Sequence, residues 1–193
     1  MKKPNGYDTA PAYMGGEAAP QLEPGGYVCK IKQAKEETTE SGYWMLALAF
    51  DIAEGPHAGF YEAQYKERIK NDAAAKWPGV YRQGIQGRDG QCSPFFKGMI
   101  TAIENSNPGY TFNFDEATLI GKVFGGVFGQ EEWKDRNGAV RTSTKLQSFR
   151  SASSIREGDY KVPEIKRLDT PQQGRAKVSF APVAAIGDEE CPF

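Results

Sequence analysis

Along several stretches of this chain apolar and polar positions alternate with a period of two, and that alternation predicts most of its elements. Over residues 27–34, Tyr27, Cys29 and Ile31 oppose Lys30 and Lys32, the pattern of a half-buried strand. A polar turn through Glu36, Thr39 and Gly42 leads to a second strand over residues 43–53, where Trp44, Leu46, Leu48, Phe50 and Ile52 share one face. Gly55, Pro56 and Gly59 interrupt it. Alternation resumes over residues 60–69, with Phe60, Glu62, Gln64, Lys66 and Arg68 opposite Tyr61, Ala63, Tyr65, Glu67 and Ile69, and predicts a third strand. Residues 71–91 show no period and read as a long functional loop around Trp77-Pro78-Gly79.

At Ser93-Pro94 the period changes. Serine suits a helix N-cap, proline the first helical position, and Phe95, Phe96, Met99, Ile100 and Ile103 fall on one stripe. A turn over residues 115–119 precedes a fourth strand over residues 121–133. Asn137-Gly138 is a hairpin signal that leads into a fifth, over residues 140–149. Three strands, a helix and two more strands is the order of the OB-fold, a five-stranded barrel whose face and loops bind oligonucleotides. The fold class expected is therefore mainly β, a five-stranded OB-fold barrel with one helix between strands three and four. An α+β sandwich or an SH3-like barrel would use the same elements. Residues 1–25, rich in Gly, Pro and Ala, read as a flexible N-terminal arm, residues 26–168 as the domain with a C-terminal extension, and residues 169–193 as a disordered linker and acidic tip.

Composition narrows the chemistry. Rings are plentiful, 11 Phe, 9 Tyr and 3 Trp, in a chain of mean hydropathy -0.60, so some have work outside the core. The formal net charge of -1 means that any affinity for nucleic acid must come from local patches. Cys29, Cys92 and Cys191 have no pairing pattern, and a single histidine, His57, leaves a zinc site short of ligands. No cofactor is expected. Nothing approaches a membrane span, which points to a soluble protein of a reducing cytoplasm.

Single strands are held by cations that track phosphates and by rings on which bases stack. Residues 59–82 carry Lys66, Arg68, Lys70, Lys76 and Arg82 among Phe60, Tyr61, Tyr65, Trp77 and Tyr81; residues 133–150 carry Lys134, Arg136, Arg141, Lys145 and Arg150 with Trp133 and Phe149, against Asp135 alone. The candidate DNA-binding residues are Tyr61, Tyr65, Lys66, Arg68, Lys76, Trp77, Tyr81, Arg82, Trp133, Lys134, Arg136, Arg141, Lys145 and Arg150. Aromatic residues in strands also pack in cores, and outward cations also mark any solvated strand face. No nucleophile has a partner histidine and no phosphate loop is present, so the chain reads as non-enzymatic; a nuclease built on Asp51, Glu62 and Glu67 would need a metal ion.

The chain ends Asp188-Glu189-Glu190-Cys191-Pro192-Phe193. Phe193 can fill an apolar pocket, its carboxylate can meet a cation, and the acids can steer the hook to a basic rim. This ending resembles that of the single-stranded DNA-binding proteins of bacteria and their phages, with Cys191 where the family commonly has an aliphatic residue. The body, including Gly25-Gly26-Tyr27-Val28-Cys29-Lys30-Ile31, Asp51-Ile52-Ala53-Glu54-Gly55 and Lys76-Trp77-Pro78-Gly79-Val80-Tyr81-Arg82, is similar to phage and prophage proteins encoded near replication and recombination genes, rather than to the bacterial housekeeping protein. The resemblance implies an OB-fold, sequence-independent binding of single-stranded DNA in a bacterial host cytoplasm, no cofactor, and partners among replication or recombination proteins met through residues 188–193. Homo-oligomerisation stays open. The alternative is an interaction module that captures a replication enzyme through the same tip without touching DNA.

Overall fold

Leu46, Leu48, Phe50 and Ile52 alternate inward from one strand, and the rest of the fold is arranged to cover them. The computed structural model describes residues 2–9, 20–87 and 89–168. Its element order is β1 (Gly25–Thr38), β2 (Trp44–Ile52), α1 (Phe60–Asn71), β3 (Val80–Gly84), α2 (Pro94–Ser106), a 3-10 turn (Glu116–Leu119), β4 (Val123–Lys134), β5 (Val140–Arg150) and α3 (Ala152–Glu157). The strands form one antiparallel sheet in the order β3-β2-β1-β4-β5.

The long β1 serves both halves of the sheet. Its first part pairs with β4, Gly25 opposite Phe128 and Lys30 opposite Val123, and its later part with β2, Thr38 opposite Trp44. A register shift between Ile31 and Gln33 breaks the β1–β2 ladder, and such a bulge bends a strand and increases its twist. The sheet is open: among the described residues no ladder joins β3 to β5. Those edges nevertheless approach, since the rings of Tyr81 on β3 and Phe149 on β5 lie 5.0 Å apart.

Helix α2 closes the core beneath β4 with Phe96, Met99, Ile100 and Ile103, four members of the expected stripe; Phe95, at its flank, is 65% exposed instead. A second, smaller cluster forms where α3 lays Ala152 and Ile155 against Val28 and Val127. The close approach explains a glycine near the start of β4: a Cβ on Gly125 would lie 2.5 Å from both the Ser151 carbonyl oxygen and the Ile155 side chain. Leu22, within the expected arm, is buried in the main core.

The third strand expected over residues 60–69 is a helix, and β3 lies within the stretch read as loop. Two-residue alternation there coincided with a helical set, Phe60, Tyr61, Gln64 and Tyr65, which are the half-buried positions together with Glu62. What decides for the helix is the buried carboxylate of Asp51, which accepts the backbone N–H groups of Ile52 (2.8 Å), Tyr61 (2.9 Å) and Glu62 (3.1 Å). It supplies the acceptor that the first helical turn lacks, a role Gly59 at the N-cap has no side chain to fill. One helix, α2, does stand between β3 and β4. No helix among the described residues is long and apolar enough to cross a membrane.

Candidate nucleic-acid interface

Residues opposite one another on an antiparallel ladder project to the same side. Across β1, β2 and β3 the register aligns Lys35, Ala47 and Arg82 in one row and Gln33, Ala49 and Val80 in the next. Because Leu46 and Leu48 point into the core, these rows lie on the sheet's opposite face. Two alanines leave its floor low, and Arg68, Lys76, Trp77 and Pro78 raise a wall beside it, giving a groove of about 560 Å³. Four cations, Lys35, Arg68, Lys76 and Arg82, line it against one carboxylate, Glu37, which accepts from Arg82 Nε at 2.9 Å. Trp77 is half-buried and pinned: its Nε1 donates to the Phe50 carbonyl at 2.9 Å and its ring stands 5.3 Å from that of Tyr65.

A second cleft, of about 590 Å³, runs between the edges of β3 and β5. Arg68, Pro78, Val80 and Arg82 border both spaces, so the two adjoin at β3. Lys145 enters from β5, where it is paired with Glu131, and Ser143 and Thr144 lie beside it. Gln21 and Gln64 hold residues 20–22 at the rim, through bonds to the Thr142 carbonyl (3.1 Å) and from Gln64 Nε2 to the Pro20 carbonyl (2.6 Å). Tyr81 faces this cleft; its hydroxyl donates to Gln83 Oε1 at 3.0 Å, and burial pushes its phenol pKa up. Burial likewise pushes up the phenol of Tyr61, whose ring packs on Phe50 (5.4 Å) and Phe60 (5.3 Å) and belongs to the core edge.

Of the expected site residues, Arg68, Lys76, Trp77, Tyr81, Arg82 and Lys145 therefore come together, with Tyr61 and Tyr65 behind them. The β4–β5 hairpin makes a separate patch. Trp133 is 44% exposed and opposite Arg141, and Lys134 and Arg136 flank the turn with no ion pair among the described residues. Arg141 Nε donates to Asp135 at 3.0 Å; that bond, with help from the Ala139 and Asn137 N–H groups, holds the Asp135 carboxyl below its ordinary range. Arg150 stands at the far end of β5 opposite Gly125, roughly 30 Å from Arg141 at about 3.3 Å per residue. Lys66 is paired with Glu62 at 2.7 Å outside both clefts.

Lys35, Gln33, Ala47 and Ala49 escaped the sequence reading. The available signal was the alanine at alternate positions of the bulkiest strand, a gap on its outer face. The tip residues Asp188, Glu189, Glu190, Cys191, Pro192 and Phe193 lie outside the described residues. No family model matches the chain and no curated protein matches it, so the groove's chemistry is read from its own geometry.

Proposed function

We propose that this chain is a non-enzymatic, sequence-independent single-stranded DNA-binding protein that coats and protects strands in phage replication or recombination and recruits partner enzymes through residues 188–193. The observation that carries this reading is the row Lys35–Ala47–Arg82 beside Arg68, Lys76 and Trp77. Cations spaced across a floor of small side chains suit a phosphate chain whose bases need room. The finer fold reading belongs with it: an OB-type barrel whose strand order matches the observed sheet, with β3 and β5 approaching through Tyr81 and Phe149.

Energetically the exchange is cheap. The Arg82–Glu37 pair is exposed on both sides, and such pairs are worth about 0–1 kcal/mol, less than a charge-assisted bond to phosphate returns. Each base stacked on a ring adds about 1–3 kcal/mol. Titration of the full chain with an oligo-dT strand, followed by tryptophan fluorescence, tests the reading. Saturable quenching is expected, with affinity far above that for duplex and falling steeply with salt. No binding of the strand at low salt, with a peptide of residues 187–193 still competing for a replication enzyme, would replace it with the interaction-module alternative.

A further inference from the structure

An apolar pocket of about 350 Å³ opens beside the end of β1, lined by Trp44, Leu46, Ile85, Phe96, Phe112 and Phe114, with Glu36 and Glu116 the charged groups on its wall. Phe114 is 84% exposed and holds φ at 64°, a left-handed conformation that bulky residues seldom adopt. Its strain gains no burial; it holds the ring out beside Phe112, 5.4 Å away. Trp44 adds a buried indole N–H that meets no acceptor among the described residues. An aromatic rim, an apolar floor and two carboxylates describe a docking surface for a segment that is apolar on one side and basic on the other.

The chain itself contains such a segment. Beyond Leu168 the cations are Arg175 and Lys177, within Arg175-Ala176-Lys177-Val178-Ser179-Phe180. Laid out as a strand, it would put Ala176, Val178 and Phe180 on one side and Arg175, Lys177 and Ser179 on the other. We propose that this pocket takes residues 175–180 of a second copy of the chain, with Phe180 entering beside Phe112 and Phe114 and the two cations meeting Glu36 and Glu116. The acidic tip, the other aromatic segment near the terminus, would bring Asp188, Glu189 and Glu190 against those glutamates and is disfavoured.

Reach selects a second copy. The described chain ends beside Glu132, whose carboxylate accepts from the Leu168 N–H at 3.3 Å. The register Gly25 opposite Phe128 places Glu132 beyond the start of β1, while Glu36 lies near its other end. Along the sheet this is roughly 50 Å at about 3.3 Å per residue, whereas the stretch from Leu168 to Phe180 spans at most about 40 Å. A pocket filled by a neighbour's tail is a heterologous contact, which runs on into open chains of molecules unless its rotation closes a ring. If the DNA-binding reading holds, these chains would make coverage of a strand cooperative; the association itself does not depend on that reading.

Sedimentation velocity of the full chain without DNA tests it. Average mass should rise with concentration, and either Phe180→Ser, in the tail, or Phe114→Asp, at an exposed ring, should weaken association at least about tenfold. Mixing the two variants should restore dimers, from the one intact pocket and the one intact tail, but no longer chains. A wild-type chain that stays monomeric overturns the proposal, including the case where Phe180→Ser perturbs the Phe114 NMR signals within that monomer, since the occupant is then the chain's own tail. Association untouched by Phe180→Ser overturns it as well, as does a peptide of residues 187–193 outcompeting one of residues 173–186.

Discussion

Single side chains in this molecule carry more than their exposure suggests. Asp51 is 2% exposed, yet it is the acceptor for three backbone N–H groups where β2 hands over to α1. Replacing it with alanine orphans those donors, and because a buried unsatisfied donor costs about 1–3 kcal/mol and there are three, two of them part-buried, Asp51→Ala should destabilise the fold by at least about 3 kcal/mol in urea unfolding; Asp51→Asn, keeping one acceptor, should cost less. Asp135 shows the same logic at the surface. Its folded pKa lies below its unfolded value because Arg141 and two backbone N–H groups favour the anion. A depressed carboxylate stabilises the fold above its unfolded pKa, about 3.9, and that contribution is lost as pH falls through the folded value. In Arg141→Ala, NMR titration should find the Asp135 pKa raised toward its ordinary value, the two backbone N–H groups still holding it down in part, and acid unfolding should become less steep. In the groove, Lys76→Ala or Arg82→Ala should weaken binding to all sequences alike and lower the salt slope by about one, as expected for a phosphate contact.

At the scale of elements the sheet's neighbours matter more than local propensity. Gly125 illustrates this: in a strand interior glycine is unfavourable, but α3 approaches so closely that no Cβ fits. Gly125→Ala should therefore cost about 1–3 kcal/mol by overpacking, read as a lower Tm, despite alanine's better fit to a strand by backbone entropy. The same dependence on neighbours marks how far the elements could be read beforehand. β2 and α2 were legible because each turns its large apolar side chains to one face of its own period, and the Asn137-Gly138 turn fixed β4 and β5. Residues 60–71 were not, since Phe60, Tyr61, Gln64 and Tyr65 fit either period and the deciding partner, Asp51, lies ten residues from Tyr61 in sequence. β3 was hidden for a related reason: only five residues long, it takes its register from β2 rather than from any alternation of its own. The groove suffered most, because it depends on alignment across three strands. Arg68, Lys76 and Arg82 were visible as cations near rings, but Lys35 joins them only through the pairing of β1 with β2.

For the whole molecule, the proposed binding of DNA requires a chain of net charge -1 to attract a polyanion. The charges must be separated in space, and the sequence separates them along the chain, with Lys35, Arg68, Lys76 and Arg82 in the groove and Asp188, Glu189 and Glu190 at the end. On the proposed reading, the tethered acidic segment would compete for the same cations at a high effective concentration, and DNA would have to displace it. Deleting residues 187–193 should then tighten oligo-dT binding at low salt. The gain should shrink as salt is raised, because the screening length falls from about 10 Å at 0.1 M to about 3 Å at 1 M and tail and strand lose their attraction together. Fluorescence titrations of both forms across that range check it: the two salt plots should converge. Parallel plots would mean that the deletion acts on the fold or on assembly, and coincident plots that the tip does not meet the groove.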